Sequence, residues 1–569
     1  MDNQGPLIVQ ADRTILLEVQ HPRFREARDA IAPFAELVKS PEHFHFYRIT
    51  SLSLWSAAAG GMTAEQMIAA LQKYSRYALP VALCREIEET VGRYGKLRLI
   101  ADGPQLLLEA QESLLLEEIA RQEKIKQWLG ERVGPARVRV PAAYRGVLKQ
   151  ALLHFGYPVD DRGGYVDGQP LSFALRSVTR QGKPLHVRDY QRQAAEAFYA
   201  AGSVQGGSGI VVLPCGAGKT IVGLVVMSYL QQSTLILTTS INAVKQWRRE
   251  LLDKTTLSES QIAEYTGESK QVAPVTLATY QILTYRPERT GAFPHFALLD
   301  QHPWGLIIYD EVHLLPAPVF RITAEIQARR RLGLTATLVR EDGREGDVFC
   351  LIGPKKFDVP WKDLEGRGWI AEAQCIEVRL PLPAELRMEY AVAEWRHKFR
   401  LASENPHKLD AIARLLDLFA DESVLIIGQY LRQLRAIHQR FGFPMITGST
   451  PTEEREKLYE DFRRGILQRL ILSKVGNFAI DLPDASVLIQ VSGTFGSRQE
   501  EAQRLGRILR PKADGRRARF VTLVTRDSRE MDFAQHRQLF LTEQGYSYDI
   551  VDAEELAGAR APRRLEAAG

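Results

Sequence analysis

The run GIVVLPCGAGKTIVGLVVM reads as a strand, a glycine-bearing loop and a helix, the order that phosphate binding needs. Gly216 and Gly218 allow the loop to wrap with its N–H groups turned inward, and the following helix adds partial positive charge at its first turn. Lys219 supplies a point charge for β and γ phosphates, and the Thr220 hydroxyl suits Mg²⁺. Leu213 stands where the full GxxxxGK[ST] pattern has its first glycine, so a chance glycine-rich turn stays open as the plain alternative. Further along, WGLIIYDEVH ends an apolar run in two carboxylates. Asp310 suits Mg²⁺, directly or through water, and Glu311 suits polarising an attacking water. Two acids capping a strand end would explain the same residues in isolation. In SRQEEAQRLGRILRP, helical spacing puts Gln503, Arg507 and Arg510 on one face. They could be solvated, but a phosphate loop upstream favours arginines reaching a γ phosphate, a contact worth about 10³ to 10⁵ in rate.

Such residues need strand ends to hold them. Short apolar runs supply the strands: GIVVLP, STLILTTS, VTLATY, LIIYD and RLGLTAT, then SVLIIGQY, RLILSK, SVLIQVSG and RFVTLVT. Alternating with helical stretches, they predict α/β architecture with parallel sheets covered on both faces. The two groups, before about residue 340 and after about residue 420, predict two parallel-sheet domains over 176–360 and 361–569. A smaller α+β N-terminal region precedes them, divided into 1–77 and 78–175. In the first part EHFHFYRIT alternates with period two, placing His43, His45 and Tyr47 on one strand face. Two such histidines could begin a metal site, yet no nearby Cys or Asp completes it, so a half-buried strand is expected. In the second part Asp102-Gly103 between apolar runs predicts a β-hairpin.

Composition excludes several classes. The 569 residues are 45% hydrophobic and 25% charged, close to the globular average, so neither a disordered nor a fibrous chain fits. Lys plus Arg number 74 against 69 Asp plus Glu, and the resulting +5 does not by itself indicate a nucleic-acid partner. Any basic groove must be local. Cys84, Cys215, Cys350 and Cys375 lack zinc or iron–sulfur spacing and fit a reduced compartment. The chain starts without a signal-like segment, and no run approaches the ~20 apolar residues of a membrane helix, so a soluble cytoplasmic protein is expected.

The segments RDYQ, LPCGAGKT, TTSINAVKQW, LATY, DEVH, TAT, GQY, SKVGNFAIDLP and QRLGRILR, in that order, resemble the motor of superfamily 2 helicases. More narrowly, DEVH, the LVRED after TAT, and GTFGSRQEEAQRLGRILRPK look like XPB-type DNA helicases. SPEHFHFYRITSLSLWSAAAGG and RYGKLRL resemble the N-terminal region of that family, so the likeness covers nearly the whole chain. The long extensions of eukaryotic members are missing, which resembles a bacterial or archaeal form. The resemblance implies two RecA-like domains with ATP and Mg²⁺ in the cleft between them. It implies Arg188 and Gln191 at the adenine, Lys219 and Thr220 on phosphate and Mg²⁺, and Asp310 and Glu311 on metal and water. Asp481 would touch ribose or couple the domains, and Arg507 with Arg510 would be fingers. Arg340, Glu341 and Asp342 match the RED element implicated in strand separation, with an exposed charged turn as the alternative. His313 and Thr335 to Thr337 would link nucleotide state to DNA contacts.

The function implied is an ATP-dependent DNA helicase of 3′–5′ polarity working in repair. Single-stranded and forked DNA are the expected partners, with a nuclease in nucleotide excision repair as a further one and no membrane. ATP bridging both domains would favour a closed cleft and hydrolysis would release it. Sequence-independent, salt-sensitive gripping of the DNA backbone is expected from strand-end residues Thr239, Ser240, Thr279, Tyr280, Ser473 and Lys474. Near 385–408, Arg387, Tyr390, Trp395, Arg396, Lys398, Phe399 and Arg400 interleave charge with aromatic surface. Their position resembles the XPB thumb, and they suit either single-strand contact or ordinary amphipathic packing. Residues 78–175 correspond to a damage-sensing region by resemblance alone. Two other readings are a duplex translocase that assists a nuclease with little unwinding, and a nucleotide-binding scaffold that docks repair partners.

Overall fold

The computed structural model describes the chain except residues 1–4, 40–42, 104, 164–166, 203–205, 215, 288–293, 296–301, 316–329, 337–344, 360, 474–484, 494–503, 507, 509–516, 544–545 and 556–569. Two compact units divide it: one contains Met1–Leu213 and Gly218–Val359, the other contains Pro214–Ala217 and Pro360–Gly569. Among the described residues no helix is long and apolar enough to cross a membrane.

The first unit begins with β1 (Leu7–Val9), β2 (Thr14–Glu18), β3 (Glu36–Lys39) and β4 (Phe44–Arg48), an antiparallel sheet in the order β1-β2-β4-β3. Period-two alternation sends Ile15 and Leu17 inward opposite Tyr47 and His45. His45 meets Phe24 edge-on at 5.2 Å, and burial, with the nearby Arg28 charge, pushes its pKa down to about 4. It is therefore a neutral core imidazole, and among the described residues no group of three or more His, Cys, Asp or Glu side chains gathers to hold a metal ion.

A five-stranded sheet follows: β5 (Leu97–Asp102), β6 (Gln105–Ala110), β7 (Arg132–Gly134), β8 (Arg137–Val140) and β9 (Val159–Arg162), in the order β7-β8-β6-β5-β9. β5 and β6 pair antiparallel out to Asp102 opposite Gln105, the hairpin expected from Asp102-Gly103. The helix Val81–Arg93 puts Leu83 and Ile87 into the core of the first sheet, not the second. At the other end, Leu171 and Arg176 bond through their N–H groups to Gln231 and Lys254, so this stretch lies along the third sheet's helices.

That third sheet consists of β10 (Ser208–Val212), β11 (Thr234–Thr238), β12 (Ile262–Tyr265), β13 (Val275–Thr279), β14 (Leu306–Asp310), β15 (Arg330–Thr335) and β16 (Lys355–Asp358), ordered β12-β13-β11-β14-β15-β10-β16. In the second unit β17 (Ala373–Leu380), β18 (Val424–Ile427), β19 (Met445–Ile446), β20 (Arg469–Leu472), β21 (Val487–Gln490), β22 (Ala518–Thr525) and β23 (Ser547–Asp552) are ordered β19-β20-β18-β21-β22-β17-β23. All described pairings in both sheets are parallel. Counted from the first strand of each, the two orders are the same. These are the two RecA-like α/β sheets, each with its own apolar core.

Candidate nucleotide site

β10 ends at Val212, Leu213 N–H donates to the Thr335 carbonyl at 2.9 Å, and the chain turns through the glycines into the helix Lys219–Leu230. Gly216 and Gly218 both have φ of +81°, which side-chain-bearing residues rarely adopt. Gly218 has a second reason to be glycine: a Cβ there would lie 2.5 Å from Gln191 Nε2. Gln191 is buried, and its Oε1 accepts the Arg188 N–H at 3.0 Å, closing the start of the helix Asp189–Tyr199. Arg188 Nη1 donates to the Tyr190 hydroxyl at 3.1 Å. Arg188, Gln191 and Gly218 are thus brought together beside the phosphate loop.

β14 lies two strands from β10 in the sheet and ends in Asp310 on the same carboxyl edge, where ligands bind in open parallel sheets. Lys219 Nζ lies 3.3 Å from Glu311 Oε1, with the two side chains 11% and 22% exposed. Glu311 has φ of +50°, a conformation that costs a non-glycine residue energy and is held where function requires it. His313 Nδ1 is 3.5 Å from Glu311 Oε2 and 2.7 Å from Thr335 Oγ1.

Asp310 is half-buried at the strand end. Its Oδ1 accepts the Glu311 N–H at 3.1 Å, its Oδ2 the Trp247 indole N–H at 2.9 Å, and its carbonyl the Tyr280 hydroxyl at 2.8 Å. Burial and the neighbouring Glu311 charge push its pKa up to about 6, against the pull of Trp247 and Lys219. A buried acid beside a second acid is the electrostatic situation a divalent cation relieves. With an inward-turning glycine loop and a lysine alongside, the residues fit a nucleotide phosphate with its metal.

Several expected site residues lie outside the described residues: Gln503, Arg507, Arg510, Asp481, Lys474, Arg340, Glu341, Asp342 and Thr337. Arg504 is buried, and its Nη1 donates to Gln490 Oε1 at 2.5 Å. Thr279, Tyr280 and Ser473 are buried rather than presented at a surface. Thr279 Oγ1 accepts the Ile282 N–H at 3.3 Å and caps the helix Tyr280–Thr284. Thr239 and Ser240 are half-buried at the start of the helix Ile241–Lys254. In the thumb-like segment, helices Ala384–Val392 and Trp395–Ser403 divide the two readings: Phe399 is core, while Arg387, Trp395, Arg396 and Arg400 are exposed. Trp247 carried no expected role. Spacing places it with Val244 and Leu251 on the buried helix face, but nothing local reveals its partner on β14.

Three family models match the chain. The ERCC3/RAD25/XPB C-terminal helicase model covers residues 364–564, a helicase conserved C-terminal domain model covers 7–134, and a model of the type III restriction enzyme res subunit covers 184–340. The chain is 54% identical to the DNA 3′-5′ helicase XPB of Mycobacterium tuberculosis, over 97% of this chain and 99% of that one. It is 53% identical to the protein of the same name from Kineococcus radiotolerans, over 97% and 98%. The general transcription and DNA repair factor IIH helicase/translocase subunit XPB of Antonospora locustae is 35% identical, over 97% of this chain and 82% of its own. With a phosphate loop, a pair of acids at another strand end on the same sheet edge and near-complete coverage by these relatives, the chain belongs to the XPB family of DNA helicases.

Proposed function

We infer that the protein is an ATP-dependent DNA 3′–5′ helicase that couples hydrolysis to movement along DNA and to its unwinding in repair. The observation that carries this reading is the cluster of Lys219, Asp310 and Glu311 at one sheet edge, in a chain whose relatives are DNA helicases. The loop around Gly216 and Gly218 binds the phosphates, with Lys219 as their counter-charge. Gln191, already seated against Gly218, and Arg188 place the base. Glu311 turns toward Lys219 and holds the attacking water by its carboxylate. Thr220 and Asp310 would hold Mg²⁺, which would supply charge neutralisation at the phosphates. Gln503, Arg507 and Arg510 act as the second domain's contribution to the γ phosphate, and Asp481 meets the ribose.

DNA, single-stranded or forked, is gripped through its backbone, with Thr239, Ser240 and Lys474 as contacts. Arg340, Glu341 and Asp342 separate the strands. Work in the cytoplasm beside a nuclease in nucleotide excision repair completes the reading. Phosphate release with single-stranded, duplex and forked DNA over a salt series tests it: turnover should rise with DNA and vanish in Lys219→Ala. Replacing Arg340, Glu341 and Asp342 together by alanine should spare ATP turnover and abolish strand displacement. Translocation with little displacement in the parent would favour the duplex translocase, an activity the eukaryotic relative's name pairs with helicase. Nucleotide binding without turnover would leave only the scaffold reading.

A further inference from the structure

Asp310 is held from two neighbouring segments. Trp247, 2% exposed in the helix that follows β11, donates its indole N–H to Oδ2, while Tyr280, just after β13, donates its hydroxyl to the main-chain oxygen. The indole reaches the carboxylate by lying across Gly223 of the phosphate-loop helix. A Cβ on Gly223 would sit 2.7 Å from Trp247 Cη2. Glycine inside a helix costs about 1 kcal/mol against alanine, so its place beneath this ring has a packing reason. One side chain therefore touches both the helix that begins at Lys219 and the acid at the end of β14. Its own helix begins at Ser240, whose hydroxyl accepts the Ala243 N–H at 3.2 Å, next to Thr239. Those two residues are the DNA-backbone contacts proposed above.

We propose that Trp247 is a positioning residue, seated on Gly223, whose indole N–H fixes the Asp310 carboxylate for the metal and ties it to the DNA-facing helix 241–254. This rests on Asp310 being the Mg²⁺ carboxylate. An indole offers a single N–H donor on a rigid ring, so a ring locked by packing sets the angle of the acid it meets. Groups that hold a metal-binding side chain from behind commonly alter metal affinity or activity 10- to 100-fold.

Trp247→Phe keeps an aromatic side chain on the helix and removes the N–H together with the far ring edge that meets Gly223. Mn²⁺ binding in the presence of ADP, read from the electron paramagnetic resonance signal of free Mn²⁺ without turnover, should weaken about tenfold. The factor by which DNA stimulates ATP hydrolysis should fall similarly. Asp310→Asn separates the two levels of the argument: lost Mn²⁺ binding there with unchanged binding in Trp247→Phe overturns the positioning role and leaves the metal assignment standing. Unchanged binding in Asp310→Asn overturns the metal assignment itself. Weakened Mn²⁺ binding with full DNA stimulation in Trp247→Phe overturns the tie to the helix. Gly223→Ala is the second variant. It should reproduce the Mn²⁺ defect in the parent and add little to Trp247→Phe, because the shorter ring leaves room; additive losses overturn Gly223 as the seat.

Discussion

The two seven-stranded sheets share one strand order, yet among the described residues their corresponding strand ends carry different groups. In the first sheet, strand one (β10) runs into the glycine loop and Lys219, and strand five (β14) ends in Asp310 and Glu311. In the second, strand one (β17) runs into PLPAELRMEY, which has no glycine, and strand five (β21) ends in Gln490 where β14 ends in Asp310. The second unit does hold a lysine and an acid together, but differently. Lys408 Nζ bonds both Glu530 oxygens at 2.8 Å and the Val491 carbonyl at 2.8 Å, with side-chain exposures of 1% and 0%. Glu530 Oε2 also accepts the Thr525 N–H. Lys219 and Glu311 are instead 3.3 Å apart and partly open. A closed, fully bonded pair fastens a core; a looser pair at a strand end stays ready for a ligand's charges.

The largest expected effect strikes the open pair. Glu311→Gln should lower DNA-stimulated ATP turnover by about 10²- to 10⁴-fold, as loss of a positioned base does, without shifting the thermal midpoint by more than a few degrees. Gln490→Ala, at the matching strand end, should leave turnover within a few-fold. Comparable loss in both would break the contrast between the sheets.

Next comes the closed pair. Lys408→Met leaves Glu530 buried without its counter-charge and should cost about 3–5 kcal/mol in denaturant unfolding of the second unit. Adding Glu530→Gln should recover part of that. If Lys408→Met unfolds like the parent while turnover collapses, the pair belongs to the chemistry and the distinction fails.

The contrast was only partly legible in the sequence. Inner strands such as LIIYD and VLII are buried on both faces, so their apolar runs announced them. Edge strands β12, β16, β19 and β23 are short or polar, and their pairing comes from the neighbour's free hydrogen-bonding edge. β17 escaped for another reason. Glu377 interrupts its apolar run, and only the fold reveals that Arg379 and the Tyr548 hydroxyl, on the same strand and on β23, satisfy that acid at 2.7 Å. The motif residues Lys219, Asp310 and Glu311 were readable because spacing along the chain sets strand, loop and helix. Trp247 on Asp310 and Gly218 beneath Gln191 were not, because such contacts depend on which strands become neighbours.

A buried titratable group without a counter-charge should behave unlike Lys408, and the N-terminal sheet offers His45. His45 stays neutral in the fold down to about pH 4, whereas its ordinary value is 6.5. Between those limits the unfolded chain binds the extra proton, so stability is complete above pH 6.5 and falls as pH drops toward 4, by on the order of 3 kcal/mol. Urea unfolding of the first unit across this window, compared with His45→Phe, checks the sign. Equal slopes for the two would remove His45 as the titrating group.

The smallest effect compares strand four of the two sheets. Thr279 ends β13, and Ser473 follows β20 directly, so a shared backbone-gripping role would predict like behaviour. The structure separates them. Thr279 Oγ1 caps the helix Tyr280–Thr284, while the Ser473 N–H donates to Ile446 within its own sheet at 3.0 Å. Thr279→Ala should therefore cost about 1 kcal/mol of stability, the usual value of a lost helix cap. The slope of DNA affinity against salt should not move, because that slope counts neutralised phosphates and a buried cap neutralises none. Weaker DNA binding at unchanged stability would instead return Thr279 to the DNA path and make the two fourth strands functional equivalents.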